Sequence, residues 1–141
     1  MTEGKTILLA DDSRLVRTVI GRALEGRGYR VLLAEDGLAA VEQAWARLPD
    51  LVLLDVNMPR MNGYQVARLL RSEARTADIP VVILSSREAA GDIFWGLEAG
   101  ADAYVTKSAG ELVLLSTVAR LLQERGRSRR AGPAPMTARP E

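Results

Sequence analysis

The sequence contains no cysteine and no histidine. Without cysteine there is no disulfide, no thiol nucleophile and no thiolate metal site. Without histidine, Ser-His-Asp and Cys-His catalysis are excluded, and so are imidazole ligands. A metal bound by this chain must take oxygen ligands, which points to a hard ion such as Mg²⁺. No apolar run approaches the roughly 18 residues that a membrane helix needs. Residues 1–6 carry neither an apolar signal core nor a cleavage pattern. A cytoplasmic protein without membrane association is the expectation.

What is present suits one domain. The chain has 141 residues, 48% of them hydrophobic, enough to bury a single core. The charge is uneven. Residues 1–124 hold 14 basic and 17 acidic side chains, and residues 125–141 hold five arginines and one glutamate. A mildly acidic body gives no charge-based support for nucleic-acid binding. A domain over 4–124 and a basic, Pro/Ala/Arg-rich disordered tail or linker over 125–141 are expected.

Apolar runs alternate with helical periodicity along the body. Ile7-Leu8-Leu9-Ala10, residues 29–34, Leu51 to Leu54, Pro80 to Leu84 and Ala103 to Thr106 read as five strands. Ser13 and Asp36 are placed to cap the first two intervening helices, and Gly26 and Gly100 to end the first and fourth. Helical spacing puts Leu15, Val16, Val19, Ile20, Ala23 and Leu24 on one inner face. It puts Leu38, Val41, Ala44 and Trp45 on the second, and Val66, Leu69 and Leu70 on the third. In the fourth helix, about 88–99, Ala90, Ile93 and Leu97 should face inward and Trp95 outward, beside Asp92 and Glu88. In the last helix Leu112, Leu115, Val118, Ala119 and Leu122 should face inward. Strands that are nearly all apolar, separated by helices, imply an α/β fold with a doubly wound parallel sheet buried on both faces.

Such a sheet gathers the carboxyl ends of its strands on one edge, where ligands bind. Asp11-Asp12, Asp55, Ser85 and Lys107 all fall at strand ends. Singly, each has an ordinary role as a cap, a turn carboxylate or a solvated ammonium. Together they put three carboxylates, a hydroxyl and an ammonium on one edge. Crowded carboxylates tend to hold a proton unless a cation relieves them. Mg²⁺ takes one or two carboxylates, waters and phosphate oxygens. The set suits an arriving phosphoryl group, with an aspartate as nucleophile.

At LLADDS (8–13), LVLLDVNMPRMNG (51–63), VVILSS (81–86) and GADAYVTK (100–107) the sequence resembles the receiver domain of bacterial two-component response regulators. The resemblance covers about residues 4–124. It implies a flavodoxin-like fold with five parallel strands in the order 2-1-3-4-5 and five helices. It implies a phosphorylation switch rather than an enzyme, with Asp55 accepting the phosphoryl group from a histidine kinase. Asp12 would ligate Mg²⁺ directly and Asp11 through water, with Asp55 and the Asn57 carbonyl completing the protein ligands. Ser85 and Lys107 would hold the phosphoryl group, and Tyr104 would be the rotating switch. Asn57 and Arg87 would tune the lifetime of the phosphoryl group. Helix 4, strand 5 and helix 5 would form the output face, including Ile93, Trp95 and Tyr104. The implied partners are the kinase and a downstream protein or fused effector domain, with a homodimer on activation as a further outcome. One departure is Ser108, where the family usually has proline, often after a cis bond. A cis bond before serine costs about 2.5–4 kcal/mol, so a trans or strained link is expected.

Two other classes fit the residues less well. A Mg²⁺-dependent phosphohydrolase would want a second acid/base carboxylate after strand three, and position 57 is asparagine. A receiver-like fold unable to accept phosphate would not be expected to keep Asp11, Asp12, Asp55, Ser85 and Lys107 together. The chain could equally be a receiver module from a longer multidomain regulator or hybrid kinase.

Overall fold

Three neighbouring strands of one sheet, rich in leucine and branched side chains and buried on both faces, form the middle of the molecule. The computed structural model describes residues 4–86 and 90–131. The strands are β1 (Thr6–Ala10), β2 (Arg30–Ala34), β3 (Leu51–Asp55), β4 (Val81–Ser85) and β5 (Ala103–Thr106). They are parallel and ordered β2-β1-β3-β4-β5, as expected. Five helices connect and follow them: α1 (Arg14–Glu25), α2 (Gly37–Arg47), α3 (Gly63–Ser72), α4 (Ala90–Glu98) and α5 (Glu111–Ala131). Alternation along the strands divides the core in two. Leu8, Val52, Leu54, Val81 and Ile83 pack with Val41, Val66 and Leu70 of α2 and α3. Ile7, Leu9, Leu51, Leu53, Val82 and Val105 pack with Leu24 of α1 and with Leu114, Leu115, Val118 and Leu121 of α5.

The caps are where the sequence puts them. Ser13 Oγ accepts from Val16 N, and Asp36 Oδ1 from Ala39 N. Asn62 and Gln65 close a reciprocal capping box at α3. The helix faces needed correction. Leu15 and Leu112 are each 72% exposed, and Val19 and Leu38 also lie outward. The cause is phase. A helix on a sheet buries a stripe, and in α1 that stripe includes Gly21, where a side chain would meet Val31 and Leu33 of β2. In α5 the stripe runs through Leu114, Leu115, Val118 and Leu121 and leaves Leu112 outside. In α4 Gly96 faces inward and Leu97 points out, 42% exposed.

Two arginines anchor the amino-terminal edge of the sheet, Arg71 from α3 on one face and Arg125 from α5 on the other. Arg71 donates to the carbonyls of Gly100, Ala77 and Ile79 and pairs with Asp102, whose carboxylate also accepts from Val81 N. One side chain thus ties the end of α3 to the start of β4 and to the turn after α4. Arg125 donates to the Asp50 carbonyl at 3.0 Å, and Asp50 Oδ2 accepts from Thr6 N at 2.8 Å. This anchor lies beyond the domain limit expected at residue 124, and α5 continues to Ala131. Residues 132–141 lie outside the described residues. Among the described residues, no helix is long and apolar enough to cross a membrane.

Candidate functional site at the carboxyl edge of the sheet

β1 delivers Asp11, β3 ends in Asp55, β4 ends in Ser85, and β5 leads directly into Lys107. The register Ala10↔Leu54, Asp55↔Leu84 and Ser85↔Thr106 brings these ends level. One carboxylate oxygen from each of Asp11, Asp12 and Asp55 lies within 4.8 Å of the others. Asp11 is 1% exposed and Asp55 7%, whereas Asp12 is open to solvent.

The local chain explains why these groups stay in place. Asp11 donates its backbone N–H to Ala34 of β2 and accepts from Ser13 N at its Oδ1. Arg17, one and a half turns along the chain in α1, donates to the Asp11 carbonyl at 2.7 Å. Sequence reading gave Arg17 no role, because a side chain reaching back to a backbone carbonyl leaves no residue pattern. Asp55 is held from below. Gly63 opens α3 against it, and a Cβ there would sit 2.4 Å from the Asp55 carbonyl oxygen. Only glycine permits that approach.

Lys107 is the counter-charge. Its Nζ lies 3.1 Å from Asp11 Oδ2 and 3.3 Å from Asp55 Oδ1. Burial raises the Asp55 pKa above the ordinary carboxylate value, and the charges of Asp11 and Asp12 add to this while Lys107 opposes it. For Lys107, burial favours loss of the proton, but the hydrogen bond to Asp11 and the charges of Asp11 and Asp55 outweigh it. The ammonium is held in its charged form. Lys107–Ala109 form a 3₁₀ turn, and every described peptide bond is trans, including the Lys107–Ser108 link.

Among the described residues, the Lys107 ammonium pairs with Asp11 and Asp55, and Asp12 adds a third carboxylate to the cluster. An all-oxygen donor set with excess negative charge fits a divalent hard cation such as Mg²⁺. Ser85 is buried at the same edge, and Asn57 lies exposed two residues beyond Asp55. Tyr104 is half-buried in β5, facing α4. Ile93 is half-buried, and Trp95 is 57% exposed with an edge-to-face contact to Phe94. Trp95 thus points outward as helical spacing predicts, whereas Asp92, expected beside it, is half-buried. Arg87 and Glu88 lie outside the described residues.

Comparison with known proteins agrees with this arrangement. A family model described as "Response regulator receiver domain" matches residues 7–119. Response regulator MprA of Mycobacterium ulcerans (strain Agy99) is 41% identical over 117 residues, covering 83% of this chain and 50% of that protein. The chain therefore spans about half the length of the MprA relatives it matches. Protein PilH of Pseudomonas aeruginosa is 40% identical over 116 residues, covering 82% of this chain and 96% of PilH. Among solved structures, the signal receiver domain of a signal transduction histidine kinase from Syntrophus aciditrophicus matches with a TM-score of 0.80 at 35% identity, covering 86% and 92% of the two chains. The receiver domain of sensor histidine kinase PA1611 from P. aeruginosa PAO1, solved with a magnesium ion coordinated in its active site cleft, matches with a TM-score of 0.80 at 32% identity, covering 85% and 98%. With strand order, acidic edge and family match in agreement, the chain belongs to the response regulator receiver domain family of two-component signalling.

Proposed function

We propose that this domain is a phosphorylation switch in which Asp55 accepts a phosphoryl group from a histidine kinase. The observation that carries the reading is the buried Asp55 carboxylate, clustered with Asp11 and Asp12 and 3.3 Å from the Lys107 ammonium. An Asp55 carboxylate oxygen attacks the phosphorus of a phosphohistidine. The new O–P bond forms as the P–N bond breaks, and the electron pair returns to the imidazole nitrogen.

Asp11, Asp12, Asp55 and the Asn57 carbonyl would hold Mg²⁺. When bound, the ion offsets charge on the phosphoryl oxygens. Lys107 pairs with one phosphoryl oxygen, and the Ser85 hydroxyl donates to another. Asn57 and Arg87 set how readily water reaches the acyl phosphate. Tyr104 changes rotamer with the phosphoryl group, and Ile93, Trp95 and Tyr104 present the result on the α4-β5-α5 face.

The output is a protein contact, made either by this domain acting alone or by a fused effector. The half-length match to MprA supports the second, and the near full-length match to PilH supports the first. The test is incubation with acetyl phosphate and Mg²⁺ followed by intact mass. The native chain should gain one phosphoryl adduct and Asp55→Asn none. An adduct of equal yield in the variant would refute the assignment.

A further inference from the structure

α4 contains two glycines in nine residues, and they are not equivalent. Gly91 is exposed, and a Cβ there would meet nothing within 4 Å. Gly96 is buried. A Cβ on it would lie 2.8 Å from Cδ2 and 3.2 Å from Cε2 of Tyr104, and 3.5 Å from Cε1 of Tyr64. The first distance is shorter than packed carbon atoms tolerate. The Tyr104 ring therefore rests directly on the α4 backbone, in a notch that exists because Gly96 has no side chain. The Tyr64 ring flanks the same notch, and its hydroxyl donates to the Asp92 carbonyl at 3.3 Å, one turn before Gly96. The Gly96 carbonyl in turn accepts from Ala101 N at 3.2 Å, on the approach to β5.

We propose that Gly96 is the seat of Tyr104: the notch fixes the ring against α4, so ring position and helix position change together. The structural part stands on the contacts alone. Its regulatory meaning rests on the reading of Tyr104 as the switch. A glycine inside a helix is unfavourable relative to alanine, and at position 96 the close approach of the ring explains its presence. Tyr64 lines the same notch from α3, so displacement of Tyr104 from the notch is a movement relative to both α4 and Tyr64.

The test compares Gly96→Ala with Gly91→Ala in fluorotyrosine-labelled protein. The chain has three tyrosines, and Tyr104→Phe assigns the Tyr104 line. Gly96→Ala should shift that line beyond its width, and Gly91→Ala should leave it in place. In thermal unfolding, Gly91→Ala should raise Tm by about 2–5 °C, the usual helix gain. Gly96→Ala should give that gain only in a Tyr104→Ala background, where the notch is empty. A Gly96→Ala chain that fails to fold, but folds with Tyr104→Ala, supports the seat equally. An unmoved Tyr104 line, the same Tm gain in both backgrounds, or a folding failure that Tyr104→Ala does not rescue overturns it. Beryllofluoride with Mg²⁺ separates the seat from the switch. It should move the Tyr104 line in the native chain, and by less in Gly96→Ala. A Gly96→Ala shift with no beryllofluoride response in the native chain keeps the seat and removes its regulatory role.

Discussion

Lys107 Nζ lies 3.1 Å from Asp11 Oδ2, joining the loop after β5 to the end of β1 across 96 residues of sequence. The same ammonium reaches Asp55 at 3.3 Å. It thus contacts both buried carboxylates of the cluster. Lys107→Met should therefore lower the stability of the metal-free protein by about 1–3 kcal/mol, the usual cost of leaving a buried charged group without its partner. Saturating Mg²⁺ should restore most of the loss. Urea unfolding with chelator and with Mg²⁺ checks this. An equal loss under both conditions would mean that Lys107 acts through packing rather than charge.

Asp55 carries the opposite sign. Its pKa is raised in the folded chain by burial first and then by Asp11. The folded state thus binds a proton more tightly than the unfolded chain. In chelator, the destabilisation is fully present above the folded pKa and disappears as pH falls from there to the ordinary carboxylate value. Asp55→Asn should be more stable than the native chain at neutral pH, and the difference should shrink with acidification. Tm against pH for the two proteins would refute this if the curves run parallel.

The sheet order and the strand ends that carry Asp11, Asp12, Asp55, Ser85 and Lys107 were legible because each rests on local pattern: an apolar run followed by a polar residue. What escaped was whatever depends on helix phase or long reach. Leu15 and Leu112 satisfy helical spacing yet lie outside, since a stripe on a sheet is narrower than the apolar set the sequence offers. Leu97 reads as an inner residue until the notch at Gly96 is known. Arg17, Arg71 and Arg125 act on backbone carbonyls 6 to 75 residues away. No spacing rule marks such contacts, because the acceptor is a backbone atom present at every residue.

Arg71 offers the clearest test of that hidden layer. Its guanidinium serves three carbonyls and Asp102 at once. Arg71→Ala should cost about 2–4 kcal/mol in urea unfolding, because several partly buried acceptors lose their donor together. Arg71→Lys should recover little, since an ammonium cannot reproduce the planar fork. Full recovery with lysine would reduce the role of Arg71 to its charge.

Asp12 is the exposed member of the carboxylate cluster, so removing it disturbs the fold least. Asp12→Ala should keep the native Tm in chelator within a few degrees. Mg²⁺ affinity should fall by roughly tenfold or more, since losing even a group that only orients a metal ligand costs about 10–100-fold at metal sites. Equal affinity in calorimetric titration would remove Asp12 from the metal site.

The last prediction concerns α4 as the moving element. Its C-terminal end is tied by Arg71 through the Gly100 carbonyl. Glycine is a poorer helix former than alanine by about 1 kcal/mol in intrinsic propensity; α4 carries two, Gly91 and Gly96, and at Gly96 the Tyr104 ring fills the space alanine would need. Phe94, Trp95 and Leu97 point outward and add little packing to hold the helix down. A short helix with two glycines and three outward apolar side chains is cheap to shift, which suits a switch whose states differ by a few kcal/mol. Trp95, exposed and in edge contact with Phe94, is placed to report the shift. In a Trp45→Phe background, beryllofluoride with Mg²⁺ should change Trp95 emission and alter amide exchange across residues 90–98. Exchange across α3, which carries a complete capping box and a buried inner face, should stay unchanged. Slow exchange in α4 that does not respond to beryllofluoride would make α4 a rigid scaffold and move the output to another face of the domain.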